Sequence, residues 1–208
     1  MNKELKDMLC KMNADRLNLF AKAVVHLSLI VLRKNGQIEN VGADIDIWDI
    51  DVDENLIAAA KLWFKEVKDN EPFKDIFSEF YEVDYQNRGR NSNGFFATPS
   101  DLTNVINTLI GSSEEKAYEK DFNDSCCGAG VLALQSFSTN PFRNYFLNDK
   151  DSFMCAVSAM QILSNIATYR IYPKHLIITN ENILLNEGVP FIMVKFKYQT
   201  IPVNPKGR

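Results

Sequence analysis

Asp124-Ser125-Cys126-Cys127-Gly128-Ala129-Gly130 is the stretch whose reading decides the fold. It follows residues 120–124, a short strand candidate, and precedes residues 129–137, whose apolar spacing suits a helix. A GxG turn between a strand and a helix has a physical use. Glycines let the backbone approach a ligand closely, and a helix N-terminus presents N–H groups that have no intrahelical partner. The turn therefore suggests the logic of nucleotide-binding α/β folds.

Working outward, residues 143–149 read as a second strand, 151–167 as a helix, 176–179 as a third strand and 191–198 as a fourth. Strands alternating with helices predict crossover units and a mainly parallel sheet. Upstream, residues 101–110 read as a helix, with Thr98 near its cap and Pro99 just inside its start. Residues 86–94 are polar, contain glycine and lack periodicity, which marks a linker. The expected organisation is a helical region over residues 1–90 and an α/β region over 91–208.

The first region opens with apolar residues at three- and four-residue steps, Leu5, Met8, Met12, Leu17, Phe20, Val24, Leu27 and Val31. They predict one helix over residues 2–34, closed by Asn35-Gly36, with His26 as a core or boundary residue. Residues 44–54 are acid-rich and resemble a calcium loop only superficially. Counted from Asp49, Glu54 occupies the glycine position and Ala60 the final glutamate position. The stretch reads instead as an acidic turn leading to an N-cap near Asp53 and a helix over 56–67. After Pro72, the aromatic stripe of Phe73, Phe77, Phe80 and Tyr81, with Ile76, reads as a buried helix face.

Composition narrows the function classes. Of 208 residues, 46% are apolar and 24% charged, which supports a packed core and excludes a disordered chain. No run of about 18 apolar residues exists to span a membrane, and the start lacks an apolar leader, so a cytoplasmic protein is expected. The four cysteines (Cys10, Cys126, Cys127, Cys155) offer no CxxC spacing, so neither a zinc site nor a disulfide framework is expected. Net charge is −4, with 13 Lys/Arg against 17 Asp/Glu in residues 1–93 and ten of each thereafter. Neither half has the positive balance of a self-sufficient nucleic-acid binder.

Three features sit around the glycine turn: Gly94-Phe95-Phe96-Ala97-Thr98-Pro99 before it, Asp149 about 20 residues after it, where an acid accepts bonds from a ribose diol, and Thr179-Asn180-Glu181-Asn182 at the third strand end. In this order, aromatic-x-Thr-Pro, the Asp-x-x-Cys-Gly-x-Gly turn and the strand-end acid resemble N-6 adenine DNA methyltransferases, which use S-adenosylmethionine. The likeness extends to methylation subunits of type I restriction systems and small phage-borne relatives. Residues 75–81 and 148–161 resemble the flanking helices and strand end of those proteins, so the likeness covers about residues 73–185.

The resemblance implies a Rossmann-like S-adenosylmethionine-dependent fold with a short, mainly parallel sheet. Phe96 and Thr98 would hold the methionine part of the cofactor. Asp124 and the backbone of Cys127, Gly128 and Gly130 would border its methionyl group and sugar. Asp149 would bind the ribose hydroxyls, Lys150 would pack beside adenine, and Glu181 or Asn182 would meet the adenine amine. The implied partner is DNA, with a second chain supplying recognition, in a homo-oligomer or hetero-complex.

Two departures bear on activity. Ser125 stands where the family has Pro, and the catalytic Asn/Asp-Pro-Pro-aromatic tetrapeptide, whose ring stacks on a flipped base, is missing. Its nearest counterpart, Asn204-Pro205-Lys206-Gly207, lacks the second Pro and the aromatic, leaving Asn204 and Pro205 as weak catalytic candidates. The length leaves no room for the family's three further strands and recognition region, so the fourth strand is expected at an edge, covered by the N-terminal helices or by another chain. Two other readings stand beside this one: a cofactor-binding module without transfer, and an interaction protein whose glycine turn only packs a helix on a strand. A cysteine nucleophile at Cys126 or Cys127 is not favoured, since no histidine is placed by spacing beside either.

Overall fold

The helices that begin the chain are set by asparagine and aspartate caps. In the computed structural model, which describes residues 1–42, 53–85, 98–99, 101–103, 105–106, 121–185 and 187–197, Asn2 Oδ1 accepts from the Glu4 amide at 2.8 Å and opens α1, Lys3–Lys11. Asn13 Oδ1 accepts from Arg16 N, also at 2.8 Å, and opens α2, Ala14–Lys34. The single helix expected over residues 2–34 is therefore two. Met12 leaves the helical conformation, and Asn13 gives the backbone donors of a new first turn an acceptor. After Asn35-Gly36, β1 spans Ile38–Gly42. Asp53 caps α3, Glu54–Asp69, through a 2.8 Å bond from Leu56 N, as its acid-then-helix pattern anticipates. The acidic stretch at residues 44–52 and the linker at 86–94 lie outside the described residues.

The aromatic stripe after Pro72 is buried, but it is not one α-helix. Phe73 takes a positive φ of 59° and donates its N–H to Asn165 Oδ1 at 2.7 Å. Helix begins only at α4, Phe77–Glu79, and passes into a π-helical turn, Phe80–Tyr85. Farther on, Thr103 N bonds Pro99 O at 3.1 Å and residues 101–103 are helical, in keeping with Pro99 at a helix start.

The remaining elements are β2 (Phe122–Asp124), α5 (Val131–Thr139), β3 (Asn144–Asp149), α6 (Ser152–Tyr169), β4 (His175–Asn182) and β5 (Glu187–Phe196). They form a five-stranded sheet in the order β1-β5-β4-β3-β2. Two βαβ units make β2, β3 and β4 parallel. The fourth predicted strand breaks the pattern: β5 runs antiparallel to β4, and β1 antiparallel to β5. The sheet is thus mixed rather than mainly parallel. The reason is chain length, because residues 183–186 allow a hairpin while a parallel crossover needs a dozen residues or more. The outer edge of β5 is covered neither by helices nor by a second chain but by β1, a strand too short and polar to stand out in the sequence.

One sheet face carries the buried Tyr145, Leu147, Leu176, Ile178, Ile192 and Val194, while Phe146, Ile177 and Met193 on the other face keep some exposure. The buried face takes α6, which also packs on α2 and α3. Trp63 of α3 is fully buried and donates from Nε1 to Ser164 Oγ of α6 at 3.0 Å. Phe137 of α5 stacks on Tyr145 of β3 with ring centroids 3.8 Å apart. Helical and α/β parts therefore share one continuous core.

Candidate functional site

Parallel strands end together, and the loops that follow them leave a concavity. Here β2, β3 and β4 end at Asp124, Asp149 and Asn182, around an open cleft of about 1160 Å³. Its wall brings together Thr98, Cys127, Gly128, Asp149, Lys150 and Glu181. Asn182 also lines it, so seven of the twelve residues singled out from the sequence share one concavity. Phe96, Asn204 and Pro205 lie outside the described residues.

Asp149 anchors the arrangement. One carboxylate oxygen, Oδ2, accepts from Gly128 N at 2.9 Å, and Oδ1 accepts from Asp151 N at the same distance. The strand-end acid thus ties the glycine turn to the start of α6, whose N-cap is Asp151 through a 2.9 Å bond from Phe153 N. A carboxylate offers about four acceptor positions, so Asp149 retains capacity for a ligand's hydroxyls on the cleft side.

The turn itself is built for packing as much as for approach. Gly128 and Gly130 both have positive φ, 51° and 83°. A Cβ on Gly130 would stand 2.7 Å from Ser158 Oγ and 3.3 Å from Ser158 Cβ on α6. Gly130 is buried and does not line the cleft; it sits at the α5 N-cap and lets α5 and α6 close on one another. The resemblance implies a place for it beside a cofactor's methionyl group; the structure shows it in this packing position.

Asp124 also stands back from the cleft wall. Its Oδ1 accepts from Cys126 N at 3.2 Å. Burial raises its pKa above the ordinary carboxylate value, the Cys126 bond lowers it, and the charge of Asp149 raises it further. Cys127 donates its backbone N–H to Asn148 O at 2.8 Å while its side chain is buried. Burial, aided by Cys155 and the two acids, holds the Cys127 thiol far above its usual range, and burial pushes Cys155 up to about 12. Neither is a thiolate near neutrality, which goes against a nucleophilic role.

Sequence reasoning passed over Asn148. Its Nδ2 donates to Ser125 O at 3.1 Å and Glu181 O at 3.0 Å, and its Oδ1 accepts from Thr179 Oγ1 at 2.8 Å. One buried amide thereby joins the ends of three strands. The available signal was an amide inside an otherwise apolar strand, directly before the acid. Also unforeseen were Ile183 and Leu184, whose hairpin tip forms an apolar lip of the cleft. Asn182 Oδ1 accepts from Leu184 N at 3.2 Å, so this side chain shapes the hairpin as well as the wall.

At the opposite end of the sheet, β5 finishes beside His175, its Lys195 pairing with that residue. The chain is carried away from the cleft before it reaches Asn204. Among the described residues no group of three or more His, Cys, Asp or Glu side chains is arranged to hold a metal ion, and no helix is long and apolar enough to cross a membrane. No family model, curated protein or solved structure matches this chain.

Proposed function

We propose that the cleft binds S-adenosylmethionine and that the chain is a methyltransferase-like domain of the N-6 adenine DNA type, working in the cytoplasm with a partner chain that supplies target recognition. The observation that carries this reading is Asp149. It is a carboxylate at the end of a parallel strand, bonded to the glycine turn through Gly128, with acceptor positions left for the two hydroxyls of a ribose. Among the described residues the wall is also rich in acids, with Asp149, Asp151 and Glu181 against one cation, Lys150. Such a wall suits a ligand that carries a sulfonium and an ammonium group.

When bound, the cofactor supplies an electrophilic methyl group. The chain's own part is to accept the ribose hydroxyls at Asp149, to let the ligand lie against the side-chain-free Gly128, and to flank its base with Lys150 and the apolar lip of Ile183. A second reading, binding without transfer, is favoured by β5. In the resembled family the catalytic tetrapeptide follows the fourth strand, and here that strand runs away from the cleft.

Calorimetric titration with S-adenosylmethionine and S-adenosylhomocysteine tests the cofactor reading. Saturable heat is expected from the wild type and none from Asp149→Ala, checked by cooperative unfolding to be folded. Absence of saturable heat in the wild type at about 1 mM ligand, weaker than nearly any cofactor affinity, removes both readings. Labelled methyl transfer to DNA then separates transfer from binding alone.

A further inference from the structure

The charges of the α/β part are segregated along the strand axis. Among the described residues from 121 to 197 there are six acids and six Lys/Arg. Five acids, Asp124, Asp149, Asp151, Glu181 and Glu187, stand at the cleft end, with Lys150. Five cations, Arg143, Arg170, Lys174, Lys195 and Lys197, stand at the other end, where β3 and β4 begin and β5 finishes, with Asp121.

Backbone bonds hold that second end together. Lys174 N bonds Arg143 O at 3.2 Å, Phe196 N bonds Lys174 O at 3.2 Å, and Lys197 N bonds Gln37 O at 2.9 Å. The last contact brings in the end of α2, with exposed Arg33 and Lys34. Glu39 is the acid this adds, and it is paired with Lys195 at 3.0 Å. Asp121 is likewise engaged: its Oδ1 accepts from Asn144 Nδ2, and Asn144 Oδ1 accepts from His175 Nδ1, both at 2.7 Å. Because a carboxylate only accepts, this relay fixes the proton of a neutral His175 on Nδ1 and leaves Nε2 as the acceptor.

We propose that this basic end is a docking surface for the phosphate backbone of a nucleic-acid duplex, separate from the cleft. The even balance of acids and cations within residues 121–197 is no obstacle, because it is made of two opposed ends. The three gaps between β1, β5, β4 and β3 span about 15 Å, which matches about four successive phosphates of one strand. The strongly exposed leucines of the hairpin, Leu184 and Leu185, stand at the cleft end, whereas among the described residues the basic end shows Phe142 and Val31, each less exposed than either leucine. The eight residues of β4 separate the two ends by about 26 Å. Nucleic acid held here would not be the same stretch that reaches the cleft, and an acid-lined cleft would repel phosphates. The inference stands whether or not the cleft binds the cofactor.

The test is fluorescence anisotropy of a labelled DNA duplex of about 20 base pairs with the full chain. With four phosphate contacts, affinity should fall about 100-fold between about 50 and 200 mM salt. The triple variant Lys34→Glu, Arg170→Glu, Lys197→Glu should bind at least about tenfold more weakly, while Lys3→Glu, Lys11→Glu, Lys61→Glu on the exposed flanks of α1 and α3, with the same change in net charge, should lose less than about twofold. Equal losses in the two triple variants, no binding at low salt, or binding to phosphatidylserine vesicles but not to DNA would overturn the proposal. Titration of S-adenosylmethionine into the first triple variant should match the wild type, so the cleft and the basic end are judged separately.

Discussion

Gly130→Ala puts the glycine turn to a quantitative test. At φ 83° an alanine must adopt the left-handed conformation, which costs about 1–2 kcal/mol. The new methyl would also stand 2.7 Å from Ser158 Oγ, 3.3 Å from its Cβ and 3.4 Å from its Cα. Forcing a methyl group into a closed helix–helix contact adds about 1–3 kcal/mol. Together the substitution should destabilise by about 2–5 kcal/mol, in the absence of any ligand. The two contributions separate in a double-mutant cycle. Ser158→Ala removes the nearest atom but leaves the Cβ, so it should recover about half of the packing share and none of the conformational share. Urea unfolding of wild type, both single variants and the double variant should give a favourable coupling of about 1 kcal/mol. A loss below about 0.5 kcal/mol in Gly130→Ala, or additive single effects, would refute the claim that α5 and α6 close on this residue.

Three further outcomes follow from buried groups. Gln161 accepts from Ile76 N and Phe77 N at 3.0 and 3.2 Å and donates to Asp75 Oδ1 and Ala129 O, both at 2.9 Å. Gln161→Leu removes the partner of Ile76 N, Phe77 N and Ala129 O, while Asp75 Oδ1 keeps its bond from Ser78 N, so chemical denaturation should show a loss of about 3–4 kcal/mol; under 1 would mean that water replaces the amide. For Asp124, whose folded value is raised by burial, the stabilising contribution of the protonated acid is complete below the unfolded value and is lost as pH climbs through the raised one. Asp124→Asn should therefore gain stability relative to wild type between acidic and neutral pH, and a pH-independent difference in urea midpoints would contradict this. Of the four free thiols only Cys126 is exposed, so a disulfide reagent at mild alkaline pH should modify one thiol promptly and the other three only on unfolding; rapid loss of two or more would contradict the buried placements.

The parts of the fold that depend on local chemistry were readable from residues alone. Asp53 as a cap, the three parallel strands and the convergence of Gly128 with Asp149 all follow from turn chemistry and spacing, and each is found. What the chain does at Asn13 was hidden, because Met12 and Leu17 keep the apolar rhythm of a helix across a break that one asparagine side chain creates. The direction of β5 was misjudged because its first residues, Glu187, Gly188, Val189 and Pro190, are exposed and unlike a strand core. β1 could not be anticipated, since Ile-Glu-Asn-Val-Gly gains its strand conformation from pairing with β5 rather than from its own propensity. In the site, the resemblance implies ligand contacts at Gly130 and Asp124, while the cleft wall includes neither: a motif marks which residues are near the turn, not which way they face.

The burial of α6 has a consequence for how this chain tolerates change. Thirteen consecutive residues, from Met154 to Ile166, are buried on every side of the helix. A surface helix offers a solvent stripe on which mutation drifts freely; this one offers none over more than three turns. In a saturation-mutagenesis library selected for folding, that interval should form a single unbroken trough, with no three- or four-residue rhythm of permissive sites. The exposed flank of α3, with Lys61, Lys65 and Lys68, should absorb substitutions in their place.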